Sequence, residues 1–351
     1  MQYKSCFQNI ILWYSHNKRD LPFRGVRDPY KTWLSETMLQ QTQVKSAIPY
    51  YNRWVERFPT LNDVSNANIE ELLKLWEGLG YYRRVHNFFK AAKAITKVHN
   101  GVIPKNYNSF ISLPGVGEYT AAAVLSIAYE KPYPAIDVNV KRVLARILGI
   151  KNFTVFNNRR IYKILKKNIE LFHPGSFNQS LMELGALICK PKQPVCPKCP
   201  ARLYCKGFNL DKPEVYPVIK KRKKKPHYSL VSAIIWRGEN FYIQKRNNEG
   251  MLPGLWETPS IKIKKGEKPE ISLIIGIQKK LGIPLKIINR IGVVEHAYSH
   301  FSITLHGFNC EEINSQIKGV NNFDWISKMD LDNFTFPRAN YKLFNLIDQK
   351  V

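Results

Sequence analysis

The 351-residue sequence predicts a multidomain chain, with a mainly α-helical domain over residues 1–206, a basic linker over 207–227 and an α+β domain over 228–351. Three observations predict it. Apolar residues recur at helical spacing as far as the cysteines, and in short alternating runs after Tyr228. Four of the six cysteines are packed between Cys189 and Cys205, where the helical pattern ends. The run Lys220 to Lys225, six consecutive basic residues, then separates the two patterns as a solvated linker would. The length suits two or three domains, each with its own core.

A formal net charge of +27 points to a polyanionic partner, although part of it reflects a composition rich in lysine, isoleucine and asparagine. The apolar content of 44% is that of a chain that folds. No uninterrupted apolar segment is long enough to span a bilayer, so no membrane association is expected. Phe7, Ile10, Ile11 and Tyr14 fall at helical spacing among polar residues, unlike a signal peptide. Cys6 and Cys310 stand alone, so the cysteines form no disulfide framework and fit a reducing compartment.

From Met1 to about Asn100 the chain reads as helices joined by short turns. Asp28 followed by Pro29 marks a helix start. Trp33, Leu34, Met38 and Leu39 form an apolar stripe that sets Glu36 off the main buried face, where a lone glutamate reads as solvated. Gln40, Gln41 and Thr42 follow, each able to donate and accept hydrogen bonds and so to probe base edges. The segment GLGYYRR, Gly78 to Arg84, suits either a helix C-cap or a loop that pushes an aromatic wedge into a base stack while arginines hold phosphates.

The stretch from Leu113 to Arg146 has three parts. A Leu-Pro-Gly-Val-Gly turn comes first, in which Gly115 and Gly117 take backbone angles closed to other residues and leave N–H groups free for an anion. A helix of small residues follows. Asp137 then stands after the Pro132-Tyr133-Pro134 break and before an apolar pattern at Val140, Val143, Leu144 and Ile147, as an N-cap should. Separately these are a structural turn and an ordinary cap. Together, in so basic a chain, they suggest a DNA-backbone clamp holding a carboxylate near a sugar.

The cysteines follow C-x6-C-x2-C-x5-C: Cys189, Cys196, Cys199 and Cys205. Four thiolates in one short span hold either a zinc ion or an iron–sulfur cluster. Zinc sites more often pair two C-x2-C units and only one occurs here, so the spacing favours [4Fe–4S] in a structural role. Lys190, Lys192, Lys198, Arg202 and Lys206 surround it and could meet phosphates.

In the last third, Ser232–Trp236 and Phe241–Gln244 read as strands around a turn at Arg237–Asn240. Met251–Pro259 reads as a rigid loop, Glu270–Leu281 as a helix, and Ile287–Val294, Ser302–Asn309 and Phe323–Ile326 as further strands. His296–Phe301 is a polar and aromatic loop, either a simple hairpin or a probe inserted beside a base.

Taken together, LSETMLQQTQV, GLGYYRR, LPGVG, the aspartate of IDVNVKRVLAR and the cysteine spacing resemble the MutY family of adenine DNA glycosylases, in family order over nearly the whole chain. Those enzymes belong to the helix-hairpin-helix superfamily that includes endonuclease III. The resemblance implies a helix-hairpin-helix at about 108–130, a cluster loop at 189–205 and a Nudix-like last domain. It implies excision of adenine opposite 8-oxoguanine or guanine in double-stranded DNA, by a monomer in the bacterial cytoplasm. It assigns Glu36 as the acid that protonates adenine N7, Asp137 as the carboxylate that stabilises the sugar cation, and Asn139 as the group that orients them. Arg24 and Gln179 would touch the flipped adenine, and Gln41 and Tyr81 would fill the stack beside it. Tyr119 stands where endonuclease III carries a lysine nucleophile, which implies a monofunctional enzyme that stops at an abasic site. Tyr298, Ser299 and His300 match the family's Phe-Ser-His probe of 8-oxoguanine, with tyrosine for phenylalanine. ISLIIGIQKKLG has no acidic residue, so Nudix hydrolysis is not expected. Val138 replaces the family's glycine and Phe23 a common tryptophan. Tyr119 and the appended domain argue against a bifunctional pyrimidine glycosylase; Glu36 together with Asp137 argues against a protein that only binds damage.

Overall fold

The computed structural model describes residues 3–218, 224–247, 250–282, 284–313 and 322–347. The chain forms two compact units: Met1–Ala67 with His86–Lys221, and Asn68–Val85 with Arg222–Val351. Grouped by contact, two segments fall apart from the sequence boundaries at 206 and 228. Residues 207–218 are strapped onto the helical unit, since Arg146 Nε donates to the Tyr216 carbonyl at 3.0 Å and the Val218 N–H to the Lys151 carbonyl at 2.9 Å. Asn68–Val85 joins the second unit through polar contacts along one helix face. The basic run lies outside the described residues at 220–223.

The helices are α1 (Lys4–Asn17), α2 (Pro29–Leu39), α3 (Val44–Arg57), α4 (Leu61–Asn66), α5 (Ile69–Trp76), α6 (Arg83–His99), α7 (Tyr107–Ile111), α8 (Glu118–Tyr129), α9 (Val138–Leu148), α10 (Val155–Ile169), α11 (Pro174–Leu187), α12 (Lys206–Asn209), α13 (Pro269–Leu281) and α14 (Arg338–Ile347). Asp28 caps α2, its carboxylate accepting from the Tyr30 and Lys31 N–H groups. Every residue of α2 from Thr32 to Met38 is buried, Glu36 included. The expectation that Glu36 faces away from the buried side is therefore corrected. A one-sided stripe predicts a solvated opposite face, but α2 is covered on both sides, with α3 and α8 among its neighbours. α8 can pack closely because its buried residues are small, Thr120 to Ala123 and Ser126 among them.

Phe7 and Ile10 of α1, Val143, Leu144 and Ile147 of α9, and Phe177, Leu181 and Leu184 of α11 share one core with Ala201 and Cys205. Each such apolar side chain contributes about 1.5–3 kcal/mol by burial. The same packing fixes α9 and the cysteine loop against α11.

The strands are β1 (His227–Arg237), β2 (Asn240–Lys245), β3 (Trp256–Glu257), β4 (Ser260–Ile263), β5 (Leu285–Ala297), β6 (Ser302–Glu312) and β7 (Phe323–Ile326). They form one mixed sheet in the order β3-β2-β1-β6-β5, with β4 paired to β1 and β7 to β2. Strand alternation in β1 sends Val231, Ala233 and Ile235 to a core shared with Leu273 and Ile277 of α13. Ile234 points the other way, into a core with Leu343 and Phe344 of α14. The expected rigid loop 251–259 in fact contains β3, and β4 had no expectation at all. β3 is only two residues long, and β4 pairs with β1 across at least 28 residues of chain, from Ser232 to Ser260. β5 pairs as far as Ala297 with Ser302, so His296 is a strand residue and the loop is shorter than expected.

Candidate active site

Three segments of the helical unit bring the titratable groups together. α2 contributes Glu36, the start of α8 contributes Tyr119, and the cap of α9 contributes Asp137. The Tyr119 hydroxyl donates to Glu36 Oε2 at 2.6 Å and also lies 3.7 Å from Met182 Sδ. Burial pushes the Glu36 carboxyl up to about 7, against the Tyr119 hydrogen bond and nearby Arg24, while Asp137 adds to the rise. The Tyr119 phenol is held well above its ordinary value, by burial first and then by the two carboxylates, so it stays a donor.

Asp137 is an N-cap, as expected. Its Oδ1 accepts the Val140 N–H at 2.7 Å and its Oδ2 the Asn139 amide at 2.8 Å. Burial raises its pKa from the ordinary carboxylate value, and these hydrogen bonds oppose the rise. Asn139 is fixed in turn, because Arg142 donates to its Oδ1 at 2.9 Å and to the Cys189 and Gly185 carbonyls at 2.8 Å each. A Cβ on Gly185 would come within 2.7 Å of the Asn139 Cβ, so α11 can approach α9 this closely only with glycine there. The loop before Asp137 is pinned by Asn178, whose carboxamide accepts the Ala135 N–H at 3.0 Å and donates to the Tyr133 carbonyl at 2.9 Å and Ser126 Oγ at 2.8 Å. Val138 is 75% exposed at the first turn of α9.

Arg24 is near this group but committed elsewhere. It forms two hydrogen bonds to Glu183, at 2.8 and 3.0 Å, and Arg19 adds two more at 2.9 and 2.8 Å. Glu183 is 1% exposed, and these partners hold its carboxyl down to about 2 despite burial. The sequence reading missed Glu183, Arg142 and Asn178. Glu183 had a visible signal: a lone acid between Leu181 and Leu184 on an apolar helix requires a buried cation. The Tyr14 hydroxyl donates to Gln179 Oε1 at 3.2 Å, and Arg24 lies over the Tyr14 ring at 5.4 Å. Gln40 reaches Thr120 Oγ1 at 3.3 Å, whereas Gln41 is exposed in the left-handed region at φ 57°.

In the turn before α8, Gly115 has φ 77° and its absent Cβ would meet the Asn87 side chain at 2.7 Å, so glycine is required. Gly117 departs from expectation. It caps α8 with φ −97° and ψ 174°, an ordinary extended conformation, and a Cβ there would meet nothing within 4 Å. What glycine provides at 117 is an uncovered approach to the helix N-terminus.

The four cysteines line one pocket together with Arg146, Ile188 and Phe208. Arg146 donates to Cys189 Sγ at 3.3 Å and to the Lys190 and Pro191 carbonyls at 2.6 and 2.9 Å. Burial pushes the Cys199 thiol up to about 12, and Cys189, Cys205 and Cys196 add to it. Among the described residues, no group of three or more His, Cys, Asp or Glu side chains closes on a single metal-ion position.

In the second unit the β5–β6 turn carries Tyr298, Ser299 and His300. Tyr298 does not protrude: its ring lies between His296 and Phe301, with centroids 4.5 and 4.6 Å away. Burial pushes its phenol up to about 12, opposed by a hydrogen bond from the Ala339 main chain. Ser299 and His300 are exposed at the tip. Tyr81, at φ 51°, lies in the same unit, its ring centroid 5.8 Å from that of His300.

A hairpin between two helices, buried carboxyls and a cysteine loop define a DNA-repair glycosylase fold. Residues 34–170 match the HhH-GPD superfamily of base excision DNA repair proteins, and 231–346 match the NUDIX domain. Over 308 residues the chain is 36% identical to an adenine DNA glycosylase of Buchnera aphidicola subsp. Baizongia pistaciae, covering 86% of this chain and 84% of the relative. It is 31% identical over 353 residues to the adenine DNA glycosylase of Rattus norvegicus, covering 85% and 68%. A thermostable thymine-DNA glycosylase structure shares 26% identity and a TM-score of 0.56, over 60% of this chain and 97% of that one. The chain belongs to the MutY-type adenine DNA glycosylase family. No helix among the described residues is long and apolar enough to cross a membrane.

Proposed function

We propose that the protein is a monofunctional base-excision-repair enzyme that hydrolyses the N-glycosidic bond of adenine opposite 8-oxoguanine or guanine in double-stranded DNA. The observation that carries this is the unequal pair of carboxyls. Glu36 is buried and pushed up to about 7, so it holds a proton near neutrality. Burial raises Asp137 too, but its hydrogen bonds from the Val140 N–H and the Asn139 amide oppose that rise and favour its ionised form.

With adenine flipped out of the duplex, Glu36 delivers its proton to N7 and makes the base a better leaving group. The C1′–N9 bond breaks with its electron pair going to adenine, and Asp137 stabilises the oxocarbenium-like sugar. Water then adds to C1′ and its released proton returns to the ionised Glu36, leaving an abasic site and the acid restored. Asn139 and Arg142 fix the Asp137 carboxylate, and Tyr119 fixes Glu36. Tyr119 has no amine, so no Schiff base forms and the strand is left intact. Arg24, aligned by Glu183, and Gln179 face the adenine; Gln41 and Tyr81 fill the stack; Tyr298, through its packing, presents Ser299 and His300 to 8-oxoguanine. The hairpin carrying Gly115 and Gly117 receives a backbone phosphate at the start of α8.

The C-x6-C-x2-C-x5-C spacing of Cys189, Cys196, Cys199 and Cys205 favours a [4Fe–4S] cluster, and the four side chains line one pocket that would hold it. The cluster would supply structural cross-linking between the four cysteines. The chain's own contribution is to hold Lys190, Lys198 and Arg202 toward phosphates.

The test is a single-turnover assay on 8-oxoguanine:A, G:A and thymine-glycol duplexes, with and without alkali. Adenine release from the first two and strand scission only after alkali support the proposal. Cleavage of thymine glycol instead would overturn it.

A further inference from the structure

Tyr81 and His300 belong to segments more than two hundred residues apart, yet they lie in one compact unit. Glu70, Lys74 and Glu77 are spaced by four and three, which places them on one face of the α5 segment and its cap. Each has a partner in the Nudix-like fold. Glu70 pairs with Lys245 of β2. Lys74 donates to the Phe334 carbonyl at 3.2 Å and pairs with Glu77 at 3.0 Å. Glu77 accepts the Phe336 N–H at 3.3 Å and the Tyr341 hydroxyl.

Beyond this clasp the chain turns sharply, with positive φ at Gly78, Gly80 and Tyr81. A left-handed residue carrying a Cβ is unfavourable, and it persists only where its surroundings enforce it. Here Trp76 Nε1 donates to the Gly80 carbonyl at 3.0 Å, and the Gly78 N–H to the Tyr82 hydroxyl at 3.1 Å. The Arg84 guanidinium lies over both the Trp76 and Tyr81 rings, at 5.1 and 5.4 Å. The braced Tyr81 ring then meets the His300 imidazole edge-on, at 5.8 Å and 79°.

We propose that Tyr81 and His300 form one preassembled reading element for the nucleotide opposite the excised base, aligned by the clasp of Glu77 on Phe336 and Tyr341. The inference rests on the functional reading above. An aromatic wedge and a hydrogen-bonding imidazole held side by side approach one nucleotide together, and the ordering each would otherwise require is already met. Glu77 and Tyr341 are positioning residues: they touch no DNA and act through Tyr81.

The test is a double-mutant cycle of Tyr81→Leu and His300→Ala, read as the ratio of single-turnover efficiency on 8-oxoguanine:A to that on G:A. Each single substitution lowers the ratio, and the double variant is expected within about twofold of the worse single. Losses that multiply would overturn the coupling. Tyr341→Phe provides an arm away from the tip. It is expected to lower the ratio about threefold, with the maximal single-turnover rate on G:A and the melting temperature unchanged. An unchanged ratio contradicts the clasp, and so does a ratio lowered only in step with a fall in melting temperature. If the wild-type protein releases no adenine, the functional reading itself fails; if it does and the losses multiply, only the coupling fails.

Discussion

Tyr119 donates its phenolic proton to Glu36 across 2.6 Å, with both side chains inside the helical unit. The hydrogen bond favours the ionised carboxylate, yet burial outweighs it and pushes Glu36 up to about 7. Glu36 keeps a proton to give, and Tyr119 presents it with a hydroxyl donor rather than an amine. An acid that is still protonated near neutrality beside a non-nucleophilic donor is suited to hydrolysis that ends at an abasic site.

Excision should fall as pH rises through about 7, where Glu36 loses its proton, and fall again at low pH as Asp137 becomes protonated. The profile of single-turnover rate against pH checks this. A rate still climbing well above pH 8 would contradict the acid role.

Glu36 also leaves a signature in stability. Its folded pKa lies above the unfolded value, so the folded state binds more protons and its stability declines as pH rises from about 4.5 to about 7. Glu36→Gln removes that decline. The variant should gain up to about 3 kcal/mol over wild type above pH 7 and little near pH 5. Thermal melts at the two pH values read the difference; equal gaps at both would show that burial does not raise the carboxyl.

Glu183→Gln leaves Arg19 and Arg24 without their carboxylate. Because Arg24 is nearly buried but Arg19 is 35% exposed, the expected cost is about 2–4 kcal/mol, discounted for exposure from the roughly 3–5 kcal/mol of a fully buried pair. Denaturant unfolding measures it. A change below about half a kcal/mol would mean that the fork contributes orientation alone.

Purified protein should carry four iron per chain with matching acid-labile sulfide, and Cys199→Ser should lose both. Metal analysis separates the possibilities, since one zinc per chain would replace the cluster assignment.

Borohydride should trap no efficient covalent adduct with an 8-oxoguanine:A duplex, and strands should stay intact until alkali is added. Efficient trapping would identify an amine nucleophile that Tyr119 cannot supply.

Much of this was legible in the residues. Asp28 and Asp137 were recognisable as caps because each stands directly before an apolar helical pattern. The last domain was visible through alternation in β1 and β2. Glu36 was placed on the wrong face, because a stripe reports one buried side and α2 has two. Glu183, Arg142 and Asn178 were missed because their partners lie on other elements: Glu183 is more than 150 residues from Arg24, and Asn178 more than 40 from Ala135. Gly117 was misread through its type, whose freedom is not used there. The contacts of Asn68–Val85 were not legible, since nothing in α5 itself reveals that Glu70, Lys74 and Glu77 bond to residues near 245 and 334–341.

The most direct measurement is single-turnover adenine release from an 8-oxoguanine:A duplex by wild type and Glu36→Gln at pH 7. Wild type should release adenine and leave an alkali-labile abasic site, with the variant slower by at least about 100-fold. Release by Glu36→Gln at the wild-type rate would contradict the assignment of Glu36 as the acid.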